Sequence, residues 1–266
     1  MQPTMEILAK INQSSMKNPN EIFTRLYRYL LREDIYFVAY QKLYANNGAG
    51  TKGVDDDTAD GFSQEKISKI INALNDGSYI PKPVRREYIR KKNNSAKKRP
   101  LGIPTFTDKI IQEIIRMILE AIYEPLFLDC SHGFRPKKSC HTALEKIKGW
   151  NGTKWFVEGD IKGCFDNIDH HRLIEIVGNK VKDKRFTDLI WKFLRAGYIA
   201  EWRYNRTYSG TPQGGIISPI LANIYLNELD QFVLNLQSDF NKKAERKFTI
   251  EYQRLGVRMD KLRKRI

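Results

Sequence analysis

Apolar residues recur at helical spacing through most of the chain, and the pattern predicts a helix-rich protein. The clearest stripe is Ile110, Ile111, Ile114, Ile115, Ile118 and Ile122. It reads as a long core helix capped by Asp108 and ended by Pro125. A second stripe, Ile67, Ile70, Ile71 and Leu74, is introduced at Ser63 and closed by Asn75-Asp76-Gly77. Near the amino terminus, Asn18-Pro19 reads as a helix start with Ile22, Phe23, Leu26, Tyr27 and Leu30 on one face. Ile35 to Leu43 is a further apolar run, and Ser139 caps a helix from His141 to Lys148. Two amphipathic helices follow, one carrying Leu173, Ile174 and Val177, the other Phe186, Leu189, Ile190, Phe193 and Leu194 with Gly197 as its stop. Ser218 and Pro219 then open a helix with Ile220, Leu221, Ile224, Tyr225, Leu229, Phe232, Val233 and Leu236 on one face. The spacing predicts that this whole face is buried.

Strand patterning is shorter. Val84 to Ile89 and Arg99 to Pro104 read as two strands joined at Asn93-Asn94-Ser95. Tyr198 to Tyr208 reads as a hairpin. Trp155, Phe156 and Val157 predict a strand that delivers Asp160 to its end. From Asn241 the pattern fades into ten basic and three acidic residues, and 241–266 reads as a basic, mobile tail.

Composition narrows the class. The chain has 266 residues, 41% hydrophobic and 29% charged, which suits a soluble globular fold. Lys and Arg number 46 against 31 Asp and Glu, a net charge of +15, which points to a polyanionic partner, nucleic acid before membrane. No apolar run approaches the roughly 20 residues of a membrane span. The first ten residues lack the layout of a secretion signal. Cys130, Cys140 and Cys164 make no disulfide framework, and a reducing cytosol fits them. Cys130, His132, Cys140 and His141 lack the paired spacing of a zinc site.

Charge and aromatics mark the candidate chemistry. Lys82 to Arg99 holds nine Lys or Arg against one Glu, a net of +8. Arg85, Arg86, Arg90, Lys92, Lys97 and Lys98, with Tyr88 among them, suit phosphate contact and stacking on RNA. Asp160 lies in Glu-Gly-Asp-Ile-Lys-Gly-Cys-Phe-Asp, where a carboxylate in a basic chain suggests a metal site facing nucleic acid; a surface Asp beside a turn is the plain alternative. The loop Gly48-Ala-Gly-Thr-Lys-Gly53 could cradle phosphate but lacks a P-loop's spacing. The triplet Asp55-Asp56-Asp57 reads as a solvated turn, with a metal role as the rarer alternative.

Five blocks in order resemble group II intron-encoded reverse transcriptases, also called maturases. They are Gly-Thr-Lys-Gly-Val-Asp at 50–55, Lys-Arg-Pro-Leu-Gly-Ile-Pro-Thr at 98–105, and Ser-His-Gly-Phe-Arg-Pro at 131–136. Glu-Gly-Asp-Ile-Lys-Gly-Cys-Phe-Asp-Asn-Ile-Asp-His at 158–170 and Gly-Thr-Pro-Gln-Gly-Gly-Ile-Ile-Ser-Pro at 210–219 complete the set. The resemblance runs from about Asn46 to about Phe232. It implies an α+β right-hand polymerase, helix-rich with short antiparallel strands. Residues 1–48 would be a helical extension, 49–150 fingers, 151–240 a partial palm and 241–266 the tail.

The resemblance also implies roles. Asp160 matches the first catalytic aspartate and a metal ligand, and the Ile161 carbonyl would help bind a second metal. Phe165 matches the steric gate that crowds a ribose 2′-OH. Lys91 and Arg99 match finger residues that hold the incoming triphosphate, and Gln213 lines the nucleotide pocket. Arg90 stands where the family has proline. The implied cofactor is Mg2+, two ions about 3.5–4 Å apart. The implied partners are intron RNA, an RNA template with its DNA primer, and deoxynucleoside triphosphates; self-pairing through exposed palm surface is a further expectation. The family's Tyr-x-Asp-Asp block does not occur in this sequence. The expectation is therefore an amino-terminal fragment that binds RNA and polymerises poorly or not at all. A non-catalytic RNA scaffold and a retron-type reverse transcriptase remain the alternative readings.

Overall fold

The computed structural model describes residues 3–46, 48–91, 94–151, 155–211, 214–240 and 249–263; the side chains of 91, 94–97, 238–240 and 262 lie outside that description. The chain divides into two compact units, Met1–Glu228 and Leu229–Ile266.

The first unit is built around one helix. Helices α1 (Thr4–Lys17), α2 (Glu33–Tyr44) and α3 (Gln64–Asp76) precede strands β1 (Val84–Lys91) and β2 (Asn94–Ile103). Helix α4 (Phe106–Tyr123) follows and is buried nearly all round, as a helix at the centre of a core must be. Its isoleucine stripe is core, as its spacing predicts. The side chain of Thr105, rather than Asp108, caps it, accepting from the Asp108 N–H at 3.2 Å. Helix α1 is tied to the far end of α4 by Ser15 Oγ, which donates to the Ile122 carbonyl at 2.6 Å.

Two expectations at the amino terminus change. Asn18 ends α1 rather than starting a helix, and residues 27–31 form only a 3₁₀ turn. The apolar face holds in part: Leu26, Tyr27 and Leu30 are buried, Phe23 is half-buried and Ile22 is exposed. The Asp183 carboxylate fixes this turn by accepting from the Tyr27 N–H at 2.8 Å.

Helices α5 (Cys140–Lys148), α6 (Cys164–Asn167), α7 (His170–Gly178) and α8 (Lys184–Arg195) lead to strands β3 (Tyr198–Ala200) and β4 (Arg203–Asn205). Ser139 caps α5 in a capping box, Asp169 caps α7 and Asp183 caps α8. The sheet runs β2-β1-β3-β4. Both hairpins are antiparallel, and the join between them is parallel, pairing Val84 with Tyr198 and Arg85 with Ile199. It is a small mixed sheet beside a helical body, an α+β fold. Strand β2 begins at Asn94, earlier than its pattern suggests, with a register shift between Arg90 and Lys91.

The strand expected at Trp155–Val157 does not form. The three side chains are 86%, 64% and 92% exposed, and no described strand pairs with them. A lone strand has neither ladder partners nor a buried face, so its propensity decides nothing.

Helix α9 (Ser218–Phe240) crosses from the first unit into the second. Ile220, Leu221, Ala222 and Ile224 are buried, whereas Leu229, Phe232, Val233 and Leu236 are exposed. The expected long buried face is thus half right. In the second unit, residues 250–263 form helix α10 rather than an irregular tail, and its described side chains are exposed.

Candidate functional site

Two of the sequence blocks are stitched together by the backbone. The Gly210 N–H donates to the Ile168 carbonyl and the Thr211 N–H to the Phe165 carbonyl, each at 2.7 Å. Ser209 Oγ donates to the Asp166 carbonyl at 3.1 Å, and His170 Nε2 lies 2.6 Å from the Gly210 oxygen. His170 is buried. Burial lowers its pKa, so the imidazole is neutral and its Nε2–H is the donor to the carbonyl.

The approach is close enough to demand glycine. A Cβ on Gly210, at φ +82°, would stand 2.6 Å from the Phe165 and Asp166 oxygens. At the other end of the loop, a Cβ on Gly214 would stand 2.5 Å from the Gly102 oxygen of β2. The loop therefore bridges the Asp160–Asp169 segment and the basic hairpin. Gln213, expected in the nucleotide pocket, lies outside the described residues, as does Lys92.

Asp160 is exposed on irregular backbone. The Ile161 carbonyl accepts from the Cys164 N–H at 3.3 Å, which leaves its second lone pair. Burial pushes the Cys164 thiol up, and the nearby Asp160 charge adds to it. Phe165 is half-buried, with Phe134 edge-on at 6.1 Å between ring centres. Phe134 has φ +54° and is 72% exposed. Its neighbour Arg135 holds the loop: the guanidinium binds Glu124 at 2.9 Å and donates to the Leu128 and Ser131 carbonyls at 2.7 and 2.9 Å. Phe134 was not among the residues singled out for chemistry; its only sequence signal is its place in the 131–136 block.

The basic hairpin is less uniform than its sequence. Arg90, Lys98 and Arg99 are exposed on β1 and β2, with Arg90 opposite Lys98 and Arg99 opposite Ile89. Lys91 and Lys97 lie on the paired strands. Arg85 instead reaches across the surface to the Gly48–Gly53 loop and donates to the Lys52 carbonyl at 3.0 and 3.2 Å. Lys109, buried beneath, donates to the Gly48 and Thr51 carbonyls at 3.1 and 2.9 Å. Burial lowers the Lys109 pKa. These bonds anchor the Gly48–Gly53 loop from inside. Arg86 stacks on Tyr198, 3.4 Å from the ring centre. Each member of the Asp55–Asp57 triplet meets a lysine: Lys82, Lys52 and Lys66 respectively.

Residues 89–246 match the family model of reverse transcriptase (RNA-dependent DNA polymerase). The chain belongs to the reverse transcriptase family. It is 62% identical over its whole length to the group II intron-encoded protein LtrA of Lactococcus lactis subsp. cremoris, of which it spans 44%. It is 48% identical over 97% of its length to an uncharacterized 91 kDa protein in the cob intron of Schizosaccharomyces pombe, spanning 32% of that protein. Among solved structures, a chain of a partial Cas6-RT-Cas1–Cas2 complex superimposes with a TM-score of 0.50 at 17% identity, covering 79% of this chain and 35% of that one. That likeness is one of fold.

The family implies dependence on a divalent metal. Among the described residues, no group of three His, Cys, Asp or Glu side chains lies close enough to hold one. Asp160 and the Ile161 carbonyl alone do not make a complete metal site. No described helix is long and apolar enough to cross a membrane.

Proposed function

We propose that this chain carries fingers and palm residues of an RNA-directed DNA polymerase encoded within a group II intron, and that it binds intron RNA for splicing and mobility. The observation that carries the reading is the stitched junction of the Phe165–Ile168 backbone with Gly210–Thr211, set against β2. It gathers three of the family's blocks at one place in a chain 62% identical to an intron-encoded protein.

In this reading residues 1–48 are a helical extension, 49–150 fingers and 151–240 palm. Asp160 and the Ile161 carbonyl supply ligands to Mg2+, a hard ion that prefers oxygen. The ion's chemistry is to polarise the attacking 3′-oxygen and the leaving pyrophosphate. Phe165, backed by Phe134, crowds the sugar and favours deoxynucleotides. Lys91, Arg99 and Gln213 hold the triphosphate. Arg90, Lys92, Lys97 and Lys98 meet RNA phosphates; Arg85 acts by fixing the Gly48–Gly53 loop, and Arg86 by its stacked position. Template, primer and intron RNA are the macromolecular partners, a second copy of the chain is another, and the cytoplasm is the setting. A second reading, an RNA-binding scaffold without catalysis, is favoured by an exposed Asp160 that, among the described residues, joins no group of three side chains able to hold a metal.

The test is Asp160→Ala in the full product of the gene, with primer extension and RNA affinity measured together. Extension should vanish while RNA affinity stays within about twofold, because affinity rests on the basic surface. Loss of both would overturn the separation of roles. A wild-type product that binds RNA and never extends a primer would establish the scaffold.

A further inference from the structure

Buried charges are as a rule paired. Lys109 on α4 is 8% exposed, and it forms no ion pair among the described residues. Its ammonium has three protons to donate. Two go to the Gly48 and Thr51 carbonyls, at 3.1 and 2.9 Å, and the third finds no acceptor among the described residues. Burial lowers the Lys109 pKa; the Asp57 charge offsets part of that, and the Arg85 guanidinium adds to it. Asp57 is not the missing partner, because its oxygens are engaged by Lys66 and by the Thr107 hydroxyl, the latter at 2.7 Å.

Lys109 lines a cavity of about 200 Å³ that opens between the end of α2, the Gly48–Gly53 loop, β2 and residues 214–216. Leu43, Ala49, Leu101, Phe106 and Ile216 give it apolar walls. The volume suits one ring or a short chain: an apolar cavity of about 150 Å³ holds benzene. The walls favour an apolar body, which leaves water on entering. A carboxylate at one end of that body supplies both the acceptor for the third proton and the counter-charge that Lys109 lacks. A neutral ring would leave the ammonium unpaired, and a bare inorganic anion would leave the apolar walls in contact with water.

We infer that this cavity binds a small apolar carboxylate, aromatic or short-chain aliphatic, with its body against Leu101, Phe106 and Ile216 and its carboxylate on Lys109 Nζ. None of Asp160, Phe165 and Arg99 lines the cavity. The inference goes beyond the proposed polymerase site. Its failure would leave that reading standing, and failure of the Asp160 test would leave this one.

The experiment is calorimetric titration of the chain with benzoate and hexanoate. Benzyl alcohol, which keeps the ring without the charge, and acetate, which keeps the charge without the body, are titrated beside them. Lys109→Met and Ala49→Leu are compared with the wild type, each first shown folded by its melting curve. Lys109→Met removes the charge and keeps most of the side-chain volume. Ala49→Leu fills the cavity from the loop side and leaves Lys109 in place, so the test stands even if Lys109→Met does not fold. One-to-one binding of benzoate or hexanoate is expected, with benzyl alcohol and acetate weaker by about tenfold or more. Ala49→Leu should weaken both carboxylates about tenfold, and Lys109→Met should erase the preference for benzoate over benzyl alcohol. No saturable binding of either carboxylate, benzyl alcohol bound as tightly as benzoate, or wild-type affinity in Ala49→Leu would overturn the inference.

Discussion

Gly210 shows how much one residue fixes here. Its positive φ and the two carbonyl oxygens at 2.6 Å leave no room for a methyl group. Gly210→Ala should cost about 2 kcal/mol or more of stability, read as a fall in the urea midpoint. An unchanged midpoint would mean that the two blocks are not stitched as described. His170, below the same loop, makes stability depend on pH. Its pKa is lowered in the folded protein from 6.5. As pH falls below that value the unfolded chain takes up a proton before the folded chain does, so stability declines until the folded pKa is passed. Unfolding between pH 8 and about pH 5 should show this slope, and His170→Asn should flatten it. The Gly-Thr-Pro-Gln-Gly-Gly run was legible in sequence as a tight loop. Its partner was not, because a backbone hydrogen bond between residues far apart in the chain leaves no trace in composition.

At the scale of elements, α9 separates pattern from packing. Its apolar residues repeat along the whole helix, yet Leu221 is buried and Phe232 is exposed. Leu221→Ala should destabilise the chain by about 2–5 kcal/mol, whereas Phe232→Ala should change stability by less than about 0.5 kcal/mol. Thermal denaturation of the two variants checks the contrast. Equal losses would mean that the face is buried throughout. Periodicity reveals which side of a helix is apolar; only a neighbour determines whether that side is covered. The same logic explains Trp155–Val157, three strand formers without a ladder, and Asn18-Pro19, a helix-start dipeptide used just after a helix end.

For the whole molecule, the excess of positive charge governs binding. The net +15 and the exposed Arg90, Lys98 and Arg99 should give RNA affinity that falls steeply with salt. Each neutralised phosphate contributes about −0.7 to −0.9 to the log–log slope. A flat titration between low and physiological salt would remove the hairpin as the contact surface. Arg85 should contribute little to that slope, because its guanidinium is committed to the Lys52 carbonyl and to Glu87. The triplet Asp55–Asp57 also belongs at this scale: each carboxylate meets a lysine, which ties the Gly48–Gly53 loop, α3 and the segment before β1 together.

By itself the sequence determined the helix-rich class, the core stripe of α4, the two hairpins, the caps at Ser63 and Ser139, and the order of the family blocks. These are local properties: side-chain period, φ preference and capping chemistry act within a few residues. Only the tertiary structure decided that His170 and Ile168 hold Gly210, that Lys109 turns inward and Arg85 is tied to the Lys52 carbonyl while Arg90 and Arg99 stay in solvent, and that Arg86 faces a cavity. Those outcomes depend on which surfaces meet, and burial and hydrogen-bond satisfaction are set by neighbours far away in the chain.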